Sequence, residues 1–169
     1  GLGRIGKTIA RRALGFEMDI RYHARHAVPD APWQHEPSLV ELARWADFLV
    51  VITAGGPGTR HLIDAPVFEA LGPRSFLINV SRGSVVDEQA LVRALVEKKI
   101  AGAGLDVFEN EPQVPAELLA MDNVVLLPHM SSATHEGRID MGERVISNIQ
   151  RFIDGHNARI SLFYQHGDI

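Results

Sequence analysis

Residues 1–16 read GLGRIGKTIARRALGF, and Gly1, Gly3 and Gly6 form a G-x-G-x-x-G pattern at the mouth of a helical stretch. In the pattern's usual setting the first glycine allows a tight turn and the second lets a pyrophosphate approach the backbone. The third lets helix and strand pack closely, and the N-terminal amides of the helix hold the phosphates. Three glycines in a loop arise easily, so the residues that follow decide the reading. The helix RIGKTIARRALGF brings Ile5, Ile9, Ala13 and Phe16 near one face, and DIRYHA after it reads as a short strand ending near Ala24.

Working outward, short apolar runs alternate with helical patterns along the whole chain, the mark of βαβ units. DFLVVIT (47–53), SFLINV (75–80), GAGLDV (102–107) and NVVLLP (123–128) lack polar alternation, as strands covered on both faces do. They predict one parallel sheet. EPSLVELARWA carries a capping box, with Ser38 three residues before Glu41, and predicts a helix start. DEQALVRALVEKK is amphipathic and opens with Asp87 and Glu88, which suit a helix N-terminus electrostatically. A long last helix is expected from Thr134 to a stop at Gly155, and HNARISLFYQHGDI beyond it shows no clear period.

The 169 residues suit one ordinary domain; 46% are apolar and 22% charged, close to globular averages. No apolar run approaches the roughly 18 residues a membrane span needs. The net charge is -4 and the lysines and arginines are scattered, so no stripe exists to follow a phosphate backbone, and nucleic acid is not an expected partner. The absence of cysteine excludes disulfides and thiolate zinc sites, and no metal is expected. No charged-then-apolar segment opens the chain, and a cytoplasmic setting is the expectation.

A dinucleotide fold expects an acidic residue roughly 20 positions after the glycines, where it binds the ribose 2′-hydroxyl of NAD. Here Ala24 stands at the strand end, followed by Arg25 and His26. A neutral residue beside an arginine accommodates a 2′-phosphate, so NADP is favoured, with NAD as the alternative. The plainer reading of Arg25 is a solvated charge at a strand end.

Three further residues follow strand ends and should share one edge of the sheet, where α/β ligands bind. Arg82, in NVSRGSVVD, could grip a carboxylate through its planar fork. Glu111, in DVFENEP, and His129, in LLPHMSSAT, make a plausible acid/base pair, because a carboxylate favours imidazolium and orients the ring. Singly, each has an ordinary reading: an ion-pair partner, a loop charge, a strand-end histidine. Their collection on one edge of a nucleotide fold is what raises them above it.

Through GLGRIG, NVSRGSVVDEQAL, AGAGLDVFENEP and VVLLPHMSSAT the chain resembles the cofactor domain of the D-isomer-specific 2-hydroxyacid dehydrogenases, over about residues 1–158. The resemblance implies a Rossmann-type, doubly wound parallel α/β sheet and assigns roles. Arg82 would bind the substrate carboxylate and help polarise the ketone; Glu111 would pair with His129, the proton donor in reduction. Asp106 would face the nicotinamide carboxamide, while Arg4, Ile5, Thr59 and Ser81 match cofactor-contacting positions. The stretch VVITAGGPGTRHLI is similar to the glyoxylate/hydroxypyruvate and hydroxyphenylpyruvate reductase branch, which tends to favour NADPH. The implied reaction reduces a small 2-oxo acid to a D-2-hydroxy acid, in a homodimer formed through the cofactor domains, with residues 87–99 or 33–45 as contributors.

The family's members begin with a flavodoxin-like substrate domain and reach GLGRIG only after a strand that lies in the middle of the 3-2-1-4-5-6 sheet. This sequence starts at Gly1 rather than Met, so residues 1–158 are expected to form an incomplete dinucleotide-binding domain lacking its first, central strand. Such a domain should be unstable by itself, with bare backbone edges and apolar helix faces uncovered. Residues 159–169 are left as an unassigned tail. Rival readings are a non-catalytic dinucleotide-binding sensor of the co-repressor kind, formate oxidation (where a Gln stands in place of Glu111), and a structural domain with degenerate motifs.

Overall fold

In the computed structural model, which describes residues 1–156, helix α1 (Arg4–Ala13) starts after Gly3 and runs into a 3-10 turn at Leu14–Phe16. Its buried residues are Gly6 and Ala10, whereas Ile5 and Phe16 are exposed. The inward face is therefore offset from the Ile5, Ile9, Ala13, Phe16 stripe that the sequence displays. Close approach decides the offset: a Cβ at Gly6 would lie 2.5 Å from the Gly1 carbonyl oxygen, so only glycine lets this face turn inward.

Strand β1 (Arg21–Tyr22) pairs in parallel with β2 (Gln34–His35), a two-residue polar strand that no apolar pattern announces. His35 Nε2 lies 2.9 Å from the Ala24 carbonyl oxygen and adds to that pairing. Helix α2 (Leu39–Trp45) starts at Ser38, whose Oγ accepts from the Glu41 N–H at 3.3 Å. The return arm of the capping box comes from elsewhere than the sequence implies: the Ser38 N–H donates to Glu36 Oε1 at 3.0 Å, while Glu41 pairs with Arg44.

The four unalternated runs become β3 (Phe48–Val51), β4 (Phe76–Asn79), β5 (Gly102–Leu105) and β6 (Val124–Leu126). They form a parallel sheet in the order β3-β4-β5-β6, with Leu49 opposite Leu77 and Leu77 opposite Ala103. Crossover helices α3 (Ala65–Leu71) and α4 (Glu88–Val96) are capped by Asp64 and Asp87, whose carboxylates accept from the Val67 and Ala90 N–H groups; a short helix α5 (Ala116–Leu119) precedes β6. The core between sheet and helices contains Phe68, Leu77, Leu91, Ile100 and Leu118, each fully buried and each contributing about 1.5–3 kcal/mol of transfer free energy.

The two sheets are not joined. Between the open edge of β1 and the open edge of β3 lies a cavity of about 530 Å³, lined by Gly6, Ile9 and Ala10 of α1, by Ile20 and Tyr22, and by Phe48 and Val50. Gly1 stands at its far end, where a Cβ would lie 3.1 Å from the Ile52 carbonyl oxygen, next to the carboxyl end of β3. Inserting one strand in this gap would give the order β2-β1-x-β3-β4-β5-β6, the doubly wound arrangement with its central strand left out.

Residues 1–129 form one compact unit and a second begins at Met130. The second contains α6 (His135–Ile153), which Thr134 caps by accepting from the Gly137 N–H at 3.0 Å and which ends before Gly155 in left-handed backbone, φ 74°. The helix exposes Val145, Ile146, Ile149 and Phe152. The segment 159–169 lies outside the described residues, as does the 158 boundary. Among the described residues no helix is long and apolar enough to cross a membrane.

Candidate active site

Parallel strands end on one edge, so the segments after β3, β4, β5 and β6 meet there. After β4, the chain turns through Ser81 and Arg82 around the buried Asn79. Asn79 Oδ1 accepts from the Ser81 N–H at 3.1 Å and from its hydroxyl at 3.0 Å, and Asn79 Nδ2 donates to the Arg82 carbonyl at 3.1 Å. One amide thus fixes the backbone that presents Arg82, whose side chain is exposed and donates through Nη1 to the Ser81 carbonyl at 2.6 Å. The next residue, Gly83, is buried against the segment after β5: a Cβ there would stand 1.9 Å from the Phe108 carbonyl carbon and 2.4 Å from the Glu109 nitrogen.

Glu111 and His129 meet on that edge. Glu111 Oε2 lies 2.8 Å from His129 Nδ1, and Glu111 Oε1 accepts from the Phe108 N–H at 3.1 Å. Partial burial pushes the Glu111 carboxyl upward, but it is outweighed by hydrogen bonds from His129 and the Phe108 N–H and by the charges of His129 and Arg82. The carboxyl is held below its ordinary range. A carboxylate only accepts, so the proton between them sits on Nδ1 and leaves Nε2 as the nitrogen for proton exchange. His129 is in left-handed backbone, φ 51°, and the Glu111–Pro112 peptide is cis. The sequence-based trio of Arg82, Glu111 and His129 is therefore brought together, with Arg82 close enough for its charge to act on the Glu111 carboxylate.

The proposed cofactor residues spread along the same edge. Gly3 opens α1 with nothing within 4 Å of where a Cβ would stand, so a ligand can approach the backbone closely there. The first turn of α1 contains no acidic residue, and the positive end of its helix dipole suits an anion. Arg4 and Ile5 are exposed on that turn. Ala24 is half-buried and packs against the cluster of Leu2, Ala10 and Tyr22, with Arg25 exposed just after it. Thr59 donates its hydroxyl to the Ala54 carbonyl at 2.7 Å and so shapes its own loop. Ser81 is buried with its hydroxyl donated to Asn79, and Asp106 is buried at the carboxyl end of β5. These residues thus follow the Gly3 turn and the ends of β1, β3, β4 and β5.

Asn79 and Gly83 are site residues that motif reading passed over. The signal for Asn79 is a polar residue closing an otherwise apolar strand, FLIN, just before the turn it stabilises.

Residues 1–131 match the family model of the D-isomer specific 2-hydroxyacid dehydrogenase, NAD binding domain. The chain is 47% identical over 155 residues to glyoxylate/hydroxypyruvate reductase A of Arabidopsis thaliana, covering 92% of this chain and 50% of that protein. It is 46% identical over 149 residues to 2-ketogluconate reductase of Gluconobacter oxydans, covering 88% and 48%. Among solved structures it resembles the NADPH-dependent glyoxylate/hydroxypyruvate reductase of Sinorhizobium meliloti in complex with NADP and malonate. That match has a TM-score of 0.92 and 48% identity, over 94% of this chain and 50% of that one. The chain spans about half the length of the curated relatives it matches. With a family model covering most of its length and relatives sharing nearly half its residues, this chain belongs to the D-isomer-specific 2-hydroxyacid dehydrogenase family, as its NAD-binding domain.

Proposed function

We propose that the protein carrying this domain reduces small 2-oxo acids to D-2-hydroxy acids with NADPH. The observation that carries the reading is the 2.8 Å contact of Glu111 Oε2 with His129 Nδ1, formed where the charge of Arg82 also acts. When bound, the reduced nicotinamide supplies the hydride to the keto carbon. Arg82 binds the substrate carboxylate through its fork and draws charge toward the carbonyl. His129, held by Glu111 with Nδ1 inward, gives the proton on Nε2 to the ketone oxygen as that oxygen gains charge. One hydride and one proton together convert the ketone to the alcohol.

Gly1, Gly3 and Gly6, with the exposed first turn of α1, would hold the pyrophosphate, and Arg25 beside the neutral Ala24 would take the 2′-phosphate. Support for NADPH over NADH comes from that pair and from the NADPH-dependent relative of S. meliloti. Asp106 would face the nicotinamide carboxamide, and Arg4, Ile5, Thr59 and Ser81 would make further contacts with the cofactor. Glyoxylate and hydroxypyruvate lead the substrate class because relatives at 47% and 48% identity carry those names. A homodimer through the cofactor domains and a cytoplasmic setting are parts of the same proposal, supported by the family resemblance and the cysteine-free composition.

The test is oxidation of NADPH and NADH in the presence of glyoxylate and hydroxypyruvate by the intact protein, beside its His129→Gln variant. Turnover with NADPH preferred, lost in the variant, is expected. Tight NADPH binding without turnover of either acid would refute the reductase reading and make the domain a sensor.

A further inference from the structure

Glu109 touches two neighbouring segments of the carboxyl edge without belonging to the acid/base pair. Its Oε1 accepts from Arg60 Nη2 at 2.7 Å and lies 2.8 Å from His61 Nε2, both in the segment after β3. Its backbone N–H donates to Glu88 Oε2, at the start of α4, at 3.1 Å. The Glu109 side chain is 17% exposed, against 59% for Arg60 and 36% for His61, so the carboxylate is the shielded member of the group. His61 is fixed independently, because its N–H donates to the Ser84 carbonyl at 2.9 Å.

These contacts bear on Glu111. The Phe108–Glu109 peptide rests on Gly83 on one side, and the Phe108 N–H donates to Glu111 Oε1. The peptide that supports Glu111 is therefore held by Gly83 and Glu88 from the β4–α4 connection, and by Arg60 and His61 from the segment after β3. An exposed ion pair contributes little to stability. A shielded carboxylate joining two segments of a site has a different use, since a displacement of about 1 Å at reacting groups costs catalysis on the order of a hundredfold.

We propose that Glu109 is a positioning residue, whose carboxylate pins segment 106–111 to the segment after β3 and so sets Glu111 against His129. The proposal rests on the acid/base reading of that pair for its effect on rate, but not for its effect on geometry.

The test uses Glu109→Ala and the shape-preserving Glu109→Gln in the intact protein, with two measurements. The first is the titration of the Glu111 carboxyl by carbon-13 NMR. The groups facing Glu111 are His129 and Arg82; those facing Glu109 are Arg60, His61 and Glu88. Removing the negative charge of Glu109 would, by charge alone, lower the Glu111 midpoint further, whereas loosening Glu111 from His129 raises it. The proposal requires a rise, larger in Ala than in Gln. The second measurement is steady-state reduction of a 2-oxo acid, where kcat is expected to fall about tenfold with the KM for NADPH within about twofold. A Glu111 midpoint that stays or falls overturns the proposal, whatever happens to kcat. A midpoint that rises with kcat unchanged leaves the positioning role standing and overturns the acid/base reading instead. If Glu109→Ala does not fold, the sign of the shift in Glu109→Gln decides alone.

Discussion

Gly83→Ala tests whether the Arg82 turn and the Glu111 segment form one assembly. A methyl carbon at Gly83 would stand 1.9 Å from the Phe108 carbonyl carbon, 2.0 Å from its oxygen and 2.4 Å from the Glu109 nitrogen. Ordinary contact begins near 3.4 Å, so the backbone of 108–109 must retreat by about 1.5 Å, and no side-chain rotation can relieve it. Overpacking of this kind costs about 1–3 kcal/mol, at the upper end where backbone must move. For a domain of this size, about 3 kcal/mol corresponds to a fall of roughly 6–12 °C in Tm. The same retreat separates Arg82 from Glu111 and strains the Phe108 N–H bond to Glu111 Oε1, so kcat/KM should fall about a hundredfold. The assay pairs a thermal melt with steady-state reduction of glyoxylate. A Tm within about 1 °C of the parent, with kcat/KM retained, would refute the reasoning: the two segments would not be packed as described.

Three further outcomes follow from the same geometry. Gly3→Ala meets nothing within 4 Å and keeps an accessible φ of -72°, so the weaker cap and the stiffer unfolded chain should offset to within about 0.5 kcal/mol. The NADPH Kd, measured by fluorescence titration, should nonetheless rise, because the methyl stands over the first turn of α1. Glu111→Gln should lower kcat/KM by about a hundredfold. Because the Glu111 carboxyl is held below its ordinary range, the stabilisation it gives is complete above the ordinary carboxylate value and lost only as pH falls through the depressed one, so an acid melt of the variant should lack that loss. In the isolated segment 1–169, an extended apolar stretch of about six residues joined ahead of Gly1 should fill the gap between β1 and β3 in parallel and raise Tm by about 4–8 °C, a net gain of roughly 2 kcal/mol. An unchanged melt and unchanged binding of a hydrophobic dye would show that the gap does not take a strand.

Much of the fold was legible because its signals are local. FLVV, FLIN, GAGL and VVL are apolar without polar alternation and do form the sheet, although cover on both faces is not what the structure shows: Leu49, Val51 and Leu77 are buried on one face while Phe48 and Val125 are exposed. Ser38, Asp87 and Thr134 are caps whose partners lie three residues away. The strand Gln34–His35 was not legible, because its pairing with Arg21–Tyr22 leaves no apolar pattern in two polar residues. The inner face of α1 does not follow its apolar stripe, because Gly6 and Ala10 are buried where they are small enough for close approach, while the larger Ile5 and Phe16 stay outside.

The site divides along the same line. Arg82, Glu111 and His129 each follow a strand end, so a one-dimensional reading that counts strands can place them on one edge. What keeps them in register is carried by contacts across long stretches of chain: Glu109 to Arg60 spans 49 residues, Glu109 to Glu88 spans 21, and Gly83 reaches Phe108 through backbone alone. None of these leaves a periodic or motif trace, since each depends on where the β4–α4 and β5–α5 connections come to lie after the sheet has formed. The reacting groups of such a site are thus found by their order along the strands, and the residues that hold them only by folding the chain. Substitutions at Gly83 or Glu109 should therefore resemble losses of chemistry in their kinetics while changing neither the proposed proton donor nor the proposed carboxylate-binding group.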